Sequence, residues 1–233
     1  MIRVGLVRVI SDQPAGAQEA HARLMEQRFP RLSVITRGIR GFPHGLSSRG
    51  DARRAVPAVV ETAAELAPDA DVLAVSCTQD PGLPKLRQRH SLPVTGAGAA
   101  LAWACRALGR RIGLLGISPH LPGPLAEVFS HGPRGTFVWR QVDGVERTTD
   151  LPAAEARVRA AAEGLVNQGC TALALACTGF STLGIAPRLA RQLGVPVLDP
   201  VVALAALISA WEIPTLEGGD HRANPQPDGR STE

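Results

Sequence analysis

Short apolar runs recur along this chain, each closed by Gly, Pro or Asp, and they alternate with longer amphipathic stretches. Eight runs read as strands: "IRVGLVRVI" from Ile2, "LSVITR" from Leu32, "DVLAVS" from Asp71, "PVTG" from Pro93, "RIGLLGI" from Arg111, "TFVWRQV" from Thr136, "TALALA" from Thr171 and "VPVLD" from Val195. Their Val, Ile and Leu content, without strict alternation, suits strands buried on both faces of a parallel sheet. The stretches between them carry helical spacing. "AGAQEAHARLMEQRF" puts Ala17, Ala20 and Leu24 on one face and turns Glu19, Arg23 and Glu26 outward. "PAAEARVRAAAEGLVNQG" does the same with Val158, Ala161 and Leu165 and stops at Gly169. Such alternation predicts an α/β fold with parallel sheets and right-handed crossovers.

The pattern is written twice. "RVGLV" at Arg3 answers "RIGLL" at Arg111; "DVLAVSCTQDPGL" answers "TALALACTGFSTL"; "LPVTGAGAALA" answers "VPVLDPVVALA". Gly5 lies 72 residues before Cys77, and Gly113 lies 64 before Cys177. The same order with small length changes predicts two similar lobes from a duplicated unit. The crossing point falls in the helix between Gly98 and Gly109, and the last helix, "PVVALAALISAWE", packs back on the first lobe. This division assigns residues 1–97 plus 200–213 to lobe 1 and 98–199 to lobe 2. Residues 214–233, polar and rich in Gly and Pro, read as a disordered tail.

Composition narrows the function classes. The 233 residues are enough to bury a sizeable core, and 45% hydrophobic with 20% charged residues describes an ordinary globular chain. The formal charge of +4 raises the question of nucleic acid. Its basic residues, however, are nearly all Arg scattered among Asp and Glu, with few aromatics to stack bases on. "MIRVGLVRVISDQP" does not read as a signal peptide, and no uncharged apolar run approaches the ~18 residues of a membrane span. A cytoplasmic protein acting on a small molecule is expected, with no nucleic-acid or membrane partner, as a homo-oligomer. In a reducing compartment Cys77, Cys105, Cys170 and Cys177 are free thiols, and their spacing matches no zinc motif.

Cys77 and Cys177 hold the same local address, at the end of an apolar strand and just ahead of a helix. Ligands of open α/β sheets sit outside the carboxyl ends of the strands. Free N–H groups at a helix start would draw a thiol pKa down from about 8.5 toward neutral. If the lobes face each other, the two thiols flank one cleft. One thiolate then removes a proton from a carbon, and the opposite thiol returns one to the other face. A lone buried cysteine is more often a small core hydrophobe, the reading that suits Cys105 and Cys170. The phosphatase pattern fails because positions 83 and 183 are Leu where an Arg is wanted, and no Gly-x-Ser-x-Gly or Gly-x-x-x-x-Gly-Lys segment occurs.

The segments "SCTQDPGL" followed by "PVTGAGAA", and "GCTALALACTGFSTLG" followed by "PVLDP", resemble the aspartate/glutamate/hydantoin racemase superfamily over roughly Ile2 to Trp211. Cys-x-x-Asp-Pro-Gly brings the chain nearest the hydantoin racemase branch. The resemblance implies two flavodoxin-like lobes related by a pseudo-twofold axis, an active site in the cleft between them, and racemisation without pyridoxal phosphate, metal or other cofactor. There are departures. "RVISDQP" stands where hydantoin and allantoin racemases have Asn-Pro-Asn, and Cys177-Thr178-Gly179 stands where glutamate racemases have Cys-Thr-His. A peptidoglycan-type glutamate racemase is therefore disfavoured, and the substrate stays open.

Around the catalytic pair Cys77 and Cys177, six residues are candidates for substrate binding. Thr78 and Thr178 offer N–H and hydroxyl groups to a carbonyl or carboxylate, or else cap helices. Asp80 and Asp199, each before a Pro, read as N-caps. Arg8, Ser11 and Ser118 lie at or beyond the first strand of each lobe; Arg8 could clamp a carboxylate or make a surface ion pair. His44 sits in a loop over the site, where a solvated histidine is the plainer reading; His21, His90, His120 and His131 show no catalytic spacing. The first reading is a cofactor-independent racemase or epimerase of an amino-acid-derived or hydantoin-like compound. The alternatives are a superfamily decarboxylase or cis–trans isomerase of small diacids, or a two-lobed ligand-binding protein without chemistry.

Overall fold

The computed structural model describes residues 1–109, 111–130 and 137–212. The predicted tail and the start of the "TFVWRQV" run lie outside these residues. Eight strands form two four-stranded sheets, and all pairs are parallel. The first sheet holds β1 (Ile2–Arg8), β2 (Leu32–Gly38), β3 (Val72–Ser76) and β4 (Val94–Gly96) in the order β2-β1-β3-β4. The second holds β5 (Ile112–Gly116), β6 (Phe137–Gln141), β7 (Ala172–Leu175) and β8 (Val197–Leu198) in the matching order β6-β5-β7-β8. Every residue of β3, β5 and β7 is buried, as their unbroken apolar runs require.

Ten α-helices are described among these residues. α1 (Ala15–Gln18), α2 (Ala20–Arg28), α3 (Arg49–Leu66), α4 (Leu83–Arg89) and α5 (Ala97–Leu108) follow the strands of the first half. α6 (Gly123–Ser130), α7 (Glu155–Asn167), α8 (Gly179–Thr182), α9 (Ala186–Leu193) and α10 (Pro200–Ser209) follow those of the second. The matched glycines of "RVGLV" and "RIGLL" have matched reasons. A Cβ at Gly5 would lie 3.0 Å from Leu73 and 3.1 Å from Leu66 of α3, and one at Gly113 2.7 Å from Leu173 and 2.9 Å from Leu165 of α7. In each lobe a helix leucine packs directly on the strand backbone.

Two helices reach beyond the sheet they follow. α5 turns Ala97 and Ala100 to the first core but Leu101, Ala102 and Cys105 to a cluster with Ile112, Leu114 and Ala174 of the second sheet. α10 sets Val201, Leu204, Ala205 and Ile208 against Ile2, Val4 and Leu6 of the first. Together they bind the lobes into one body, so the cleft has a fixed back. The helix expected over residues 15–29 is instead broken at Glu19, between α1 and α2. The break is stabilised from an unexpected direction: Arg8 donates to the carbonyls of Ala17 and Gln18, both at 2.8 Å, two of the acceptors that a helix end leaves unpaired.

Candidate active site

β3 and β7 are the second strands out from equivalent positions in their sheets, and the chain leaves each through a cysteine. Cys77 and Cys177 are 6% and 8% exposed, and both line one interlobe cavity of about 30 Å³. Thr78, Ser118 and Thr178 line the same cavity, joined by Leu46 and Thr148. A volume of that size holds about one water, so the cleft is narrow at the two sulfurs.

Direct bonds cross between the lobes beside it. The Thr78 hydroxyl donates to the carbonyl of Ala176 at 2.8 Å, and the Thr178 hydroxyl to the carbonyl of Ser76 at 3.3 Å. Each threonine thus grips the residue preceding the opposite cysteine. Outside them, the backbone N–H of Thr148 donates to the His44 carbonyl at 3.3 Å, and the Thr149 hydroxyl lies 3.4 Å from His44 Nδ1. The loop carrying His44 overhangs the cavity as expected, yet its contribution to the lining is Leu46. His44 itself is exposed and faces Thr149.

Two other candidates stand back from the cavity. Arg8 is 5% exposed, but it is committed to the α1 carbonyls and is absent from the cavity wall. Burial brings its guanidinium down to about 10. Ser11 accepts from the Phe42 N–H at 3.2 Å, while its own N–H donates to the Phe42 carbonyl. It anchors the base of the overhanging loop and does not reach the wall. Ser118 does line the cavity, with its Oγ accepting from the His120 N–H at 3.2 Å.

The turn after Cys77 also differs from the expected helix start. α4 begins only at Leu83, with Gly82 as its N-cap in the left-handed region. Asp80, expected to cap there, adopts a φ of 48° and accepts instead from the N–H groups of Gly98 at 2.9 Å and Ala99 at 2.6 Å. It caps α5 from outside the helix, with the dipole in its favour. Asp199 caps as expected, accepting from Val201 and Val202 at the start of α10 and from the Ser181 hydroxyl.

Electrostatics overturn the expectation of thiols drawn toward neutral. Burial pushes both thiol pKa values up, outweighing the N–H groups of the turns. The two environments are unequal. Cys177 receives the Gly179 N–H at 3.4 Å, and the Thr148 hydroxyl and Phe180 N–H also favour its thiolate. Cys77 has the N–H groups of Gln79 and Asp80, but the Asp80 carboxylate and Cys177 itself oppose its ionisation. Position 179 must be Gly for this packing: a Cβ there would stand 2.6 Å from both Leu151 Cδ1 and Thr148 Cγ2. That accounts for the absence of a histidine after Cys177-Thr178.

Thr148 escaped the sequence reading, and Gly179 and His21 entered it without a role at the site. His21 is 1% exposed, with Nδ1 at 2.8 Å from Ser76 Oγ and Nε2 at 2.9 Å from Thr182 Oγ1. Its partners stand 55 and 161 residues away, so no local spacing could have flagged it. Among the described residues no group of three or more His, Cys, Asp or Glu is placed to hold a metal, and no helix is long and apolar enough to cross a membrane.

Against this geometry, the family profile described as Asp/Glu/Hydantoin racemase matches residues 17–208, which include both cysteine turns. The chain belongs to that family. A hydantoin racemase of Paenarthrobacter aurescens is 28% identical over 151 residues, 58% of this chain and 58% of that protein, so the match spans less than two thirds of the relative's length. Among solved structures, an allantoin racemase from Klebsiella pneumoniae superposes with a TM-score of 0.74 at 21% identity, covering 90% of this chain and 87% of its own. A Nocardia farcinica maleate cis-trans isomerase variant, carrying a covalently bound succinylcysteine intermediate, superposes with a TM-score of 0.64 at 22% identity, covering 89% and 91%. At these identities the likeness is one of fold, and the fold is that of the two-lobed members of this racemase family.

Proposed function

We propose that the protein is a two-base racemase or epimerase in which Cys77 and Cys177 act from opposite faces of a small amino-acid-derived or hydantoin-like substrate. One observation carries the reading: both thiols, at matched strand ends of the two lobes, line the same buried cavity. The catalytic division follows the lobes proposed from the sequence, 1–97 with 200–213 and 98–199.

In the forward direction the Cys177 thiolate takes the proton from the stereogenic carbon, leaving a planar carbanion whose charge spreads into the adjacent carbonyl. The Cys77 thiol then donates its proton to the other face, which inverts the centre and leaves the protonation states of the two sulfurs exchanged. The reverse direction uses the same groups in swapped roles. Two thiols account for both proton transfers, so the reaction as written uses no pyridoxal phosphate and no metal. Cys177 is assigned as the base because three donors face it and favour its thiolate once formed, whereas the Asp80 carboxylate opposes charge on Cys77. The N–H groups of Thr78 and Thr178 are the proposed contacts for the substrate carbonyl, their hydroxyls being engaged across the cleft. A hydantoin exceeds the present cavity, so the lobes separate to admit it and close to bring both sulfurs to the carbon.

The test is a panel of single-enantiomer 5-substituted hydantoins, allantoin, N-carbamoyl amino acids and free amino acids in D₂O. Proton NMR follows loss of the Cα–H signal, and chiral chromatography follows inversion. Inversion with deuterium incorporation in at least one class is expected. Release of CO₂ from an arylmalonate, or isomerisation of maleate without any racemisation, would replace this reading with the decarboxylase or cis–trans isomerase alternative.

A further inference from the structure

Among the described residues, His21 is the one buried histidine, and its two ring nitrogens meet side-chain hydroxyls beside the two cysteine turns. It projects from α2 between the lobes. Nδ1 lies 2.8 Å from the hydroxyl of Ser76, the residue immediately before Cys77, and Nε2 lies 2.9 Å from the hydroxyl of Thr182, at the end of the short α8 that follows Cys177. Burial and the nearby Arg8 charge hold the imidazole well below its ordinary pKa, so the ring is neutral and carries a single N–H. The Thr178 carbonyl, which can only accept, takes a ring N–H, and the Ser76 and Thr182 hydroxyls, which can donate or accept, complete the network at Nδ1 and Nε2. Ser76 is therefore held twice, through its side chain by His21 and through its carbonyl by Thr178. An ordinary core histidine needs one satisfied partner on its own lobe; this one spends both nitrogens joining two lobes.

We propose that His21 is a positioning residue that ties the Cys77 turn to the Cys177 turn and so sets the separation of the two sulfurs across the cleft. The inference rests on the two-thiol reading for its catalytic meaning but not for its structural content. Breaking the tie loosens both turns together; Cys105 lies in a different cluster, and Cys170, though in the same cluster as Cys177, sits at the opposite end of β7 from the tie. Proton transfer to one thiol survives in such a variant, whereas inversion, which needs both sulfurs at fixed spacing, declines further.

The decisive variant is Thr182→Val, because Thr182 is exposed and its replacement removes the cross-cleft half of the tie without disturbing a core. His21→Ala removes the whole tie, and His21→Asn restores one donor and one acceptor. Full-length protein is treated with iodoacetamide, quenched at intervals, and each cysteine is followed by peptide mass spectrometry. In Thr182→Val and His21→Ala, alkylation of Cys77 and Cys177 is expected to accelerate about tenfold, the effect of one buried hydrogen bond on the open population. Cys105 and Cys170 should keep their wild-type rates, and His21→Asn should fall between. Unchanged rates at Cys77 and Cys177, or equal acceleration at all four cysteines, overturns the proposal. A second readout uses 5-benzylhydantoin in D₂O, where Thr182→Val should lose more inversion than Cα–H exchange; equal losses in both also overturn it. Should the wild-type protein invert no member of the substrate panel, the racemase reading falls, and the alkylation rates still judge the tie by themselves.

Discussion

The hydroxyl of Thr78 reaches across the cleft to the carbonyl of Ala176 at 2.8 Å, and Thr178 returns the contact to Ser76 at 3.3 Å. The pseudo-twofold symmetry visible as a repeated Cys-Thr in the sequence is thus a reciprocal clasp. Each threonine holds the residue ahead of the cysteine it faces, and its hydroxyl serves the lobe interface in place of a substrate. Thr78→Val keeps the shape and removes the donor from a buried carbonyl, which costs about 1–3 kcal/mol. Thr178→Val should cost less, since its bond is longer. Urea unfolding of the two variants checks the order, and a Thr178→Val loss larger than that of Thr78→Val would contradict it.

Asp80 and Gly96 show how the two lobes solve one problem differently. In lobe 2 the carboxylate that caps α10 belongs to Asp199, at the N-cap position itself. In lobe 1 the corresponding position is Gly96, and a Cβ there would overlap the Asp80 carboxylate, which has come from the cysteine turn to do the same work. Gly96→Asp should therefore be severely destabilising alone. Asp80→Gly should cost about 0.5–2 kcal/mol as a lost cap, while its backbone at φ 48° suits glycine. The double variant moves the carboxylate to the N-cap and clears the overlap, so it should be more stable than Gly96→Asp. A double-mutant cycle by thermal unfolding measures the coupling, and additive losses would refute the exchange.

The same carboxylate sets a pH dependence. Burial pushes Asp80 up to about 7 from an ordinary 3.8, against the N–H groups of Gly98 and Ala99 that pull it down. The unfolded chain releases this proton near pH 4, and the folded chain keeps it until near pH 7. Between those values the native state binds more protons, so the Asp80 contribution to stability falls as pH rises from about 4 to about 7 and is level above. His21 acts with the opposite sign, since its lowered pKa costs stability as pH drops below the ordinary histidine value. Comparing wild type with Asp80→Asn by urea unfolding at pH 5 and pH 8 isolates the first effect. The advantage of wild type over the variant should be larger at pH 5, and a larger advantage at pH 8 would be the wrong sign.

The sequence was legible wherever the pattern was local. Seven of the eight strands fall within the predicted runs and β2 passes its run by one residue, Gly38; the signal is plainest in β3, β5 and β7, which are buried throughout. The duplicated order foretold two sheets of matching topology, and the apolar α10 had to find cover on the first lobe. What escaped depends on distant pairs. Arg8 looked free to bind a carboxylate because the broken helix whose carbonyls it holds was read as continuous. Asp80 looked like the cap of its own helix because its true partners lie 18 and 19 residues on. The thiols looked activated because helix starts are visible in a sequence, whereas the closure that buries both sulfurs is not.

The last prediction separates the two sulfurs. Replacing either Cys77 or Cys177 with Ser should abolish racemisation, since a serine hydroxyl ionises far too weakly to replace a thiolate as base. Each variant keeps one thiol on one face of the substrate. It can remove the Cα proton of the enantiomer presented to it and, after exchange with D₂O, return deuterium to that same face. Cys77→Ser and Cys177→Ser should therefore exchange opposite enantiomers, with little inversion. Loss of a general acid or base typically costs about 10²- to 10⁴-fold, so residual exchange should be measurable on an acidic substrate such as a hydantoin. The two should also differ in rate. Cys77→Ser retains Cys177, whose thiolate is supported by the Gly179 N–H and the Thr148 hydroxyl. Cys177→Ser retains Cys77, whose ionisation Asp80 opposes, and should exchange more slowly. Adding Asp80→Asn to Cys177→Ser should narrow that gap by easing ionisation of Cys77. Single-enantiomer exchange followed by proton NMR measures all three proteins. If one single variant racemises at the wild-type rate, or both exchange the same enantiomer, the two-base assignment is wrong.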